Sequence, residues 1–374
     1  MANTQAQTPS PLGIMKRERG LIAGLLTLAV FLLFGGEWLS SMSGGAMPII
    51  MFCWLFPVML WLSFGVVHHA DGLAIKLGEP YGTLILTLSV ISIEVVMISA
   101  AILAGAQSSE LGRDMMFAVL MIVLNGLVGL SLLCGGLRHL EQVYNLQGAN
   151  TFLIVLIPLA ILSLILPNFT ESSAAGTYST GQMIFAILAS AGLYVAFLVA
   201  QTLRHRGFFT DPEEAQADDH GDFELGSVGF HAFFLVANML PIVFLSKSMA
   251  KLIDYQIAAF AAPVALGGVI IAVLVLAPEG LAALKSALNN RLQRSINICL
   301  GSALATIGMT VPAILLIGLA TGNKVTLGLG PVDSILLMTT ILVSLVTFSS
   351  VRTSITHGIV HLVLFVAYIV MVFD

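Results

Sequence analysis

Two glutamates, Glu94 and Glu279, each interrupt a long apolar run: YGTLILTLSVISIEVVMISAAILAG around the first and VALGGVIIAVLVLAPEGLAALKSALNN around the second. A charged side chain at the bilayer centre costs about 2.5–3.5 kcal/mol on insertion scales, so an acid kept at that depth points to an ion or proton path. Carboxylates bind hard cations through oxygen and also exchange protons, so the chemistry on offer is reversible cation and proton binding rather than covalent catalysis. Glu94 and Glu279 are the candidate metal ligands and proton carriers. Neutral oxygens accompany them. At about 100° per residue, Thr83 and Thr87 fall on the Glu94 side of their helix. Asn125 interrupts LMIVLNGLVGLSLL, and Ser302 and Thr306 share a face of LGSALATIGMTVP at i, i+4 spacing. In SSVRTSITHGIVH, Thr353, His357 and His361 share another face. The two histidines are candidate proton relays, because imidazole titrates near pH ~6.5. His68 and His69, beside Asp71, form a second histidine pair.

These residues need a membrane-spanning frame. The 374-residue chain is 58% hydrophobic and only 9% charged, with a mean hydropathy of +1.00. Soluble domains carry about 25% charged residues, so this is a polytopic all-α membrane protein. About eleven apolar stretches are long enough to span. They cover residues 20–38, 47–67, 81–105, 115–134, 151–166, 181–203, 230–245, 257–288, 296–320, 332–347 and 355–373. Lys16, Arg17 and Arg19 precede the first one, which lacks a small-residue cleavage site and is therefore expected to stay in the membrane. Cys53, Cys134 and Cys299 fall inside spans and read as apolar packers. With the N-terminus in the cytoplasm, Arg113, Lys247, Lys251 and Lys324 lie outside, and the other eleven of the fifteen Lys and Arg lie inside. That bias fits the positive-inside rule and supports both the span count and this orientation of an integral membrane protein.

The stretch RHRGFFTDPEEAQADDHGDFELG divides the chain. Five spans precede it after the first, and five follow. Two homologous units with an odd number of spans must insert with opposite topology, the inverted repeat of many secondary transporters. The expected organisation is a cytoplasmic N-terminus with an extra first helix (1–45), a first five-helix repeat (46–203), an acidic cytoplasmic linker (204–227) and a second repeat (228–374). Pairing Arg113 with Arg294 sets Asn125 opposite Thr306 and, with a short loop adjustment, Glu94 opposite Glu279. Each glutamate is then in the second helix of its unit and enters from an opposite side, so the two can meet near the midplane. Pro278 and the neighbouring Gly267, Gly268 and Gly280 predict a disturbed helix around Glu279, with carbonyls freed beside the carboxylate. The acidic linker itself reads as a solvated loop.

The segments HADGLAIKLGEPYGTLILTLSVISIEV and APEGLAALKSALNNRLQRSINICLGSALATIGMTVP resemble the ChaA-type family of bacterial calcium/proton and sodium-potassium/proton antiporters, within the cation/calcium exchanger superfamily. The resemblance runs from the second span onward and touches both repeats. It implies ten core helices in two inverted repeats plus the extra first helix, and it implies that Glu94 and Glu279 are the two repeat-motif carboxylates. Cation/proton exchangers of that superfamily commonly carry Gly-Asn four and three residues before each glutamate. This chain instead has Val90 and Ile91, and Val275 and Leu276, so oxygens for a cation must come from hydroxyls, carbonyls or water.

The functional expectation is a secondary cation/proton antiporter that exchanges Ca²⁺, Na⁺ or K⁺ for H⁺ by alternating access at a two-glutamate site. Two desolvated carboxylates repel, so the pair should hold at least one proton when no cation is bound. The rival is a cation channel or uniporter that uses the same glutamates without proton exchange. No H-E-x-x-H, G-x-S-x-G or Walker A pattern is present, so an enzyme is not expected. Nor is a cofactor or a nucleic-acid partner. The expected partners are metal cations, protons and membrane lipid.

Overall fold

The structure, a computed structural model, describes residues 17–42, 45–77, 81–103, 110–209, 226–322 and 324–373. The acidic residues of the linker, Asp211 to Glu224, lie outside the described residues, and so do the side chains of Thr83 and Thr87. The described chain is all-helical, and it folds into eleven helices because apolar segments in a membrane find no water for their backbone and must satisfy it internally. They are α1 (Arg19–Ser40), α2 (Met47–Leu77), α3 (Tyr81–Leu103), α4 (Leu111–His139), α5 (Leu146–Phe169) and α6 (Thr180–Arg204). After the linker come α7 (Val228–Ala259), α8 (Ala265–Leu288), α9 (Leu292–Thr321), α10 (Pro331–Thr347) and α11 (Ile355–Val372). Nine of these are long and apolar enough to cross a membrane, while α10 and the apolar part of α3, Leu88–Ser99, are shorter. Caps mark the boundaries. The Asn145 side chain accepts from the Gln147 and Gly148 amides before α5, Ser179 and Gln182 form a capping box before α6, and Ser227 accepts from Phe230 N–H before α7.

One boundary differs from the hydropathy reading. The apolar run 257–288 is not one helix: α7 ends at Ala259, the chain turns through Ala261 at φ +48°, and α8 starts after Pro263. Apolarity carries through that turn, but Pro263 disfavours a helical residue before it.

Five helices, α2–α6, precede the linker and five, α7–α11, follow it. α2 packs along α7, α3 lies against both, and α8 packs on α4 and α9. The third helices of the two units are the most enclosed: 78% of the apolar stretch of α4 and 67% of that of α9 are buried, against 22% for α6 and α11. Each of those two central helices contains one π-helical segment, Ile122–Leu127 in α4 and Thr306–Thr310 in α9. Such wide turns inside α-helices are rare and often accompany functional sites. Close packing holds α4 in place. A Cβ on Gly358 of α11 would lie 2.6 Å from Leu133 N and 2.8 Å from Gly129 O, so only glycine permits this crossing.

Loops close both ends of the bundle. At one end Gln142 donates to Ala287 O and Thr353 N–H donates to Gln142 O, while Tyr144 OH donates to Ser350 O. At the other, Asn168 donates to Leu329 O and Arg113 to Gly328 O. Each closure joins the two units.

Candidate cation and proton site

Glu94 projects from α3 into the packed interior and is 2% exposed. Its carboxylate accepts two hydroxyl hydrogen bonds from α9, in the other unit: Thr306 Oγ1 at 2.8 Å and Thr310 Oγ1 at 3.2 Å. Both donors belong to the π-helical segment, which is itself buried. Glu279 projects from α8 and is half-buried. It accepts from Ser302 Oγ, also on α9, at 2.6 Å. Ser302, Thr306 and Thr310 thus form a ladder at i, i+4 and i+8 whose hydroxyls serve both carboxylates. Helices α3 and α8 touch, and Glu279 lies within electrostatic range of Glu94.

Around the carboxylates the walls are apolar. Val90, Ile91, Val275 and Leu276, the positions four and three residues before each glutamate, are all buried hydrophobics. α8 remains a continuous helix through Pro278, contrary to the broken helix expected from the sequence. Proline still supplies no N–H for the carbonyl four residues back, that of Leu274, so one backbone oxygen lacks its usual helical donor. The wide turns fall instead in α4, α5, α6 and α9, and of these the α9 turn supplies donors to Glu94.

A hydroxyl is suited to this setting because it can donate to a carboxylate and, on rotating, offer lone pairs to a cation. Two carboxylates, three hydroxyls and nearby carbonyls are hard oxygen donors of the kind that bind Ca²⁺ or alkali ions. Among the described residues no group of three or more His, Cys, Asp or Glu is placed to hold a metal ion.

Other residues singled out from the sequence go elsewhere. Asn125 is fully buried in the α4 π segment, but it donates to Thr340 Oγ1 of α10 at 2.8 Å, and its Oδ1 lies 3.3 Å from His361 Nδ1 of α11. His361 Nε2 contacts Thr347 Oγ1 at 3.0 Å. This is a buried polar network linking α4, α10 and α11, separate from the two glutamates. His357 caps its own helix, accepting from Ser354 N–H at 3.1 Å. The Thr87 side chain lies outside the described residues.

Two neighbours escaped the sequence reading. Thr310 was legible as the next i+4 step after Thr306. Asp71 of α2 lies within electrostatic range of both Glu279 and Arg294, and only the three-dimensional packing of α2 on α8 reveals this.

Comparison with known proteins gives a consistent picture. The family model described as "Sodium/calcium exchanger protein" matches residues 47–203 and 230–373. The sodium-potassium/proton antiporter ChaA of Escherichia coli (strain K12) is 39% identical over 363 residues, covering 96% of each chain. The Ca²⁺/H⁺ antiporter ChaA of Bacillus subtilis (strain 168) is 26% identical over 226 residues, covering 59% of this chain and 60% of its own. A crystal structure of the selenium-substituted Ca²⁺/H⁺ antiporter protein YfkE superposes with a TM-score of 0.72 at 17% identity, over 95% of this chain and 99% of the other, a likeness of fold.

Proposed function

Because this chain belongs to the sodium/calcium exchanger protein family, we propose that it is a cation/proton antiporter, exchanging Ca²⁺, Na⁺ or K⁺ for H⁺ at a site built on Glu94 and Glu279. The observation that carries this reading is the shared hydroxyl ladder: Ser302, Thr306 and Thr310 of one helix serve carboxylates from both units. With no cation bound, the desolvated carboxylates hold protons and lean on those hydroxyls. An arriving cation takes the carboxylate oxygens, the protons leave, and the hydroxyls turn to offer lone pairs. Because one set of oxygens serves both ions, cation and proton bind in competition. Rocking of one unit against the other then presents the loaded site to either side, and this produces exchange without covalent chemistry.

The units in this reading are residues 46–203 and 228–374, preceded by the extra helix and joined by the acidic linker. The bias of Lys and Arg supports a cytoplasmic N-terminus, and the bacterial relatives support placement in a bacterial inner (plasma) membrane. The names of the relatives support both monovalent and divalent cargo.

The test is flux in proteoliposomes carrying an entrapped pH dye. Antiport moves protons against an imposed Ca²⁺, Na⁺ or K⁺ gradient even when the membrane potential is clamped. Cation flux that leaves the dye unchanged would identify a channel or uniporter instead.

A further inference from the structure

A second cluster of titratable groups lies away from the glutamate site, where the start of α1, the end of α2 and the start of α7 meet. Glu18, just before α1, is 7% exposed, His69 of α2 is 1% exposed, and His231 of α7 is fully buried. His69 Nε2 lies 3.3 Å from the Glu18 carboxylate, and His69 Nδ1 lies 3.1 Å from His231 Nδ1. His231 Nε2 is buried and has no hydrogen-bond partner. The His69 ring stacks on Phe234 with centroids 5.5 Å apart and meets Phe230 edge-on. A Cβ on Gly72 would fall 2.5 Å from the His231 ring, so a glycine on α2 makes room for it. A cavity of about 240 Å³, lined by Glu18, His68, His69 and Asn238 among others, opens beside the cluster.

We infer that Glu18, His69 and His231 form a proton-binding site distinct from the cation site, and that it acts as an acid-released latch between α1 and the first helices of the two units. The hydrogen count fixes how it works. With Glu18 ionised and both histidines neutral, His69 Nε2–H donates to Glu18 and His231 Nδ1–H donates to His69 Nδ1. One added proton is accommodated at the free His231 Nε2, both contacts survive, and the cluster becomes neutral overall. A further proton must set two N–H groups face to face across the 3.1 Å gap between the imidazoles, or take the carboxylate from His69. Either event breaks a link between helices from different parts of the chain.

The charged surroundings resist that extra proton. Arg17 donates to His68 Nε2 at 3.1 Å and places a positive charge beside the cluster, and Lys76 also faces His231 electrostatically. α1, which packs on both α2 and α7, adds Arg19 next to Glu18 and Glu37 near its other end, and α2 itself carries Asp71. The described part of α3 carries only Glu94, and α8 carries Glu279 and Lys285. Glu18 is the anion in direct contact with His69, and it offsets the charge of the cluster's first added proton. The consequence is directional: acid on the side of the N-terminus separates α2 from α7 at that end and slows exchange, beyond the competition at Glu94 and Glu279.

The site can be tested with the full-length protein. In detergent, ¹³C-histidine NMR should show His69 and His231 titrating as a coupled pair, each midpoint moving by at least about half a pH unit when the other residue is replaced. Independent titration of the two rings would overturn the proposal, and this arm stands even if the chain exchanges no cation. In proteoliposomes with saturating cation and pH varied on the N-terminal side, His231→Phe and the isosteric Glu18→Gln should each move the acid limb of activity to lower pH. Their alkaline rates should stay within about two-fold of the unmodified protein, since neither group touches the glutamates. Acid limbs superimposable on that of the unmodified protein in both variants would refute the latch.

Discussion

Glu94 and Glu279 occupy matching places in the two units, yet their surroundings differ. Glu94 is sealed in and held by two threonine hydroxyls, whereas Glu279 is half-buried and held by one serine. All three donors come from α9. Its counterpart α4 carries Asn125 in a matching π-helical segment, but that amide faces α10 and α11 rather than a carboxylate. The two carboxylates thus share one supporting helix rather than each drawing on its own unit. The two acids should differ in how readily each releases a proton, and α9 should matter more to transport than α4.

The sharpest way to break this comparison is to neutralise each acid in turn. Glu94→Gln and Glu279→Gln should both reduce cation-dependent proton flux in everted vesicles to background while the protein still inserts. Near-normal flux in either variant would remove that residue from the site and leave a one-acid mechanism. A smaller effect is expected from the hydroxyls. A hydrogen bond to a charged group contributes about 1.5–3 kcal/mol, so Thr306→Val with Thr310→Val should make the charged form of Glu94 harder to reach. Because hydroxyl donors favour the ionised acid, their loss should move the rise of activity with pH to higher pH. Ser302→Ala should shift the profile less, because water can replace the lost donor at the half-buried Glu279. In the unmodified protein, exchange should itself climb over about pH 6–9 as the carboxylates give up protons. A flat profile would contradict competition.

Much of this was legible from the sequence. The helical architecture follows from apolar run length, since a membrane leaves the backbone few choices, and the burial of Glu94 follows from an acid set in the middle of such a run. Ser302 and Thr306 were also legible, because helical spacing fixes which residues share a face. The orientation of Asn125 was not: a polar side chain in a buried span takes whichever partner its neighbours offer, and here Thr340 and His361 come from distant helices. The expected break at Pro278 failed for a related reason. Neighbouring helices can stabilise a proline inside a membrane span, and the irregular turns arose in other helices, α4, α5, α6 and α9.

Two further substitutions probe the weaker half of the comparison. Asn125→Ala removes one buried hydrogen-bond partner from each of His361 and Thr340, so it should lower thermal stability, by about 1–3 kcal/mol, more than it alters cation selectivity. A variant that folds normally but loses exchange would return Asn125 to the site and restore the symmetry of α4 and α9. The smallest effect is expected from deleting Asp211 to Glu224, which should alter regulation and leave exchange in place. Complete loss in a stably expressed deletion would give the linker a direct part in transport.

The central claim is that protons and cations compete for the same two carboxylates, and the most direct measurement is proton release. Adding Ca²⁺ or Na⁺ to lightly buffered, detergent-solubilised protein should release protons, and the Glu94→Gln, Glu279→Gln double variant should release none. Saturable cation binding without proton release, or release unchanged in the double variant, would contradict the account.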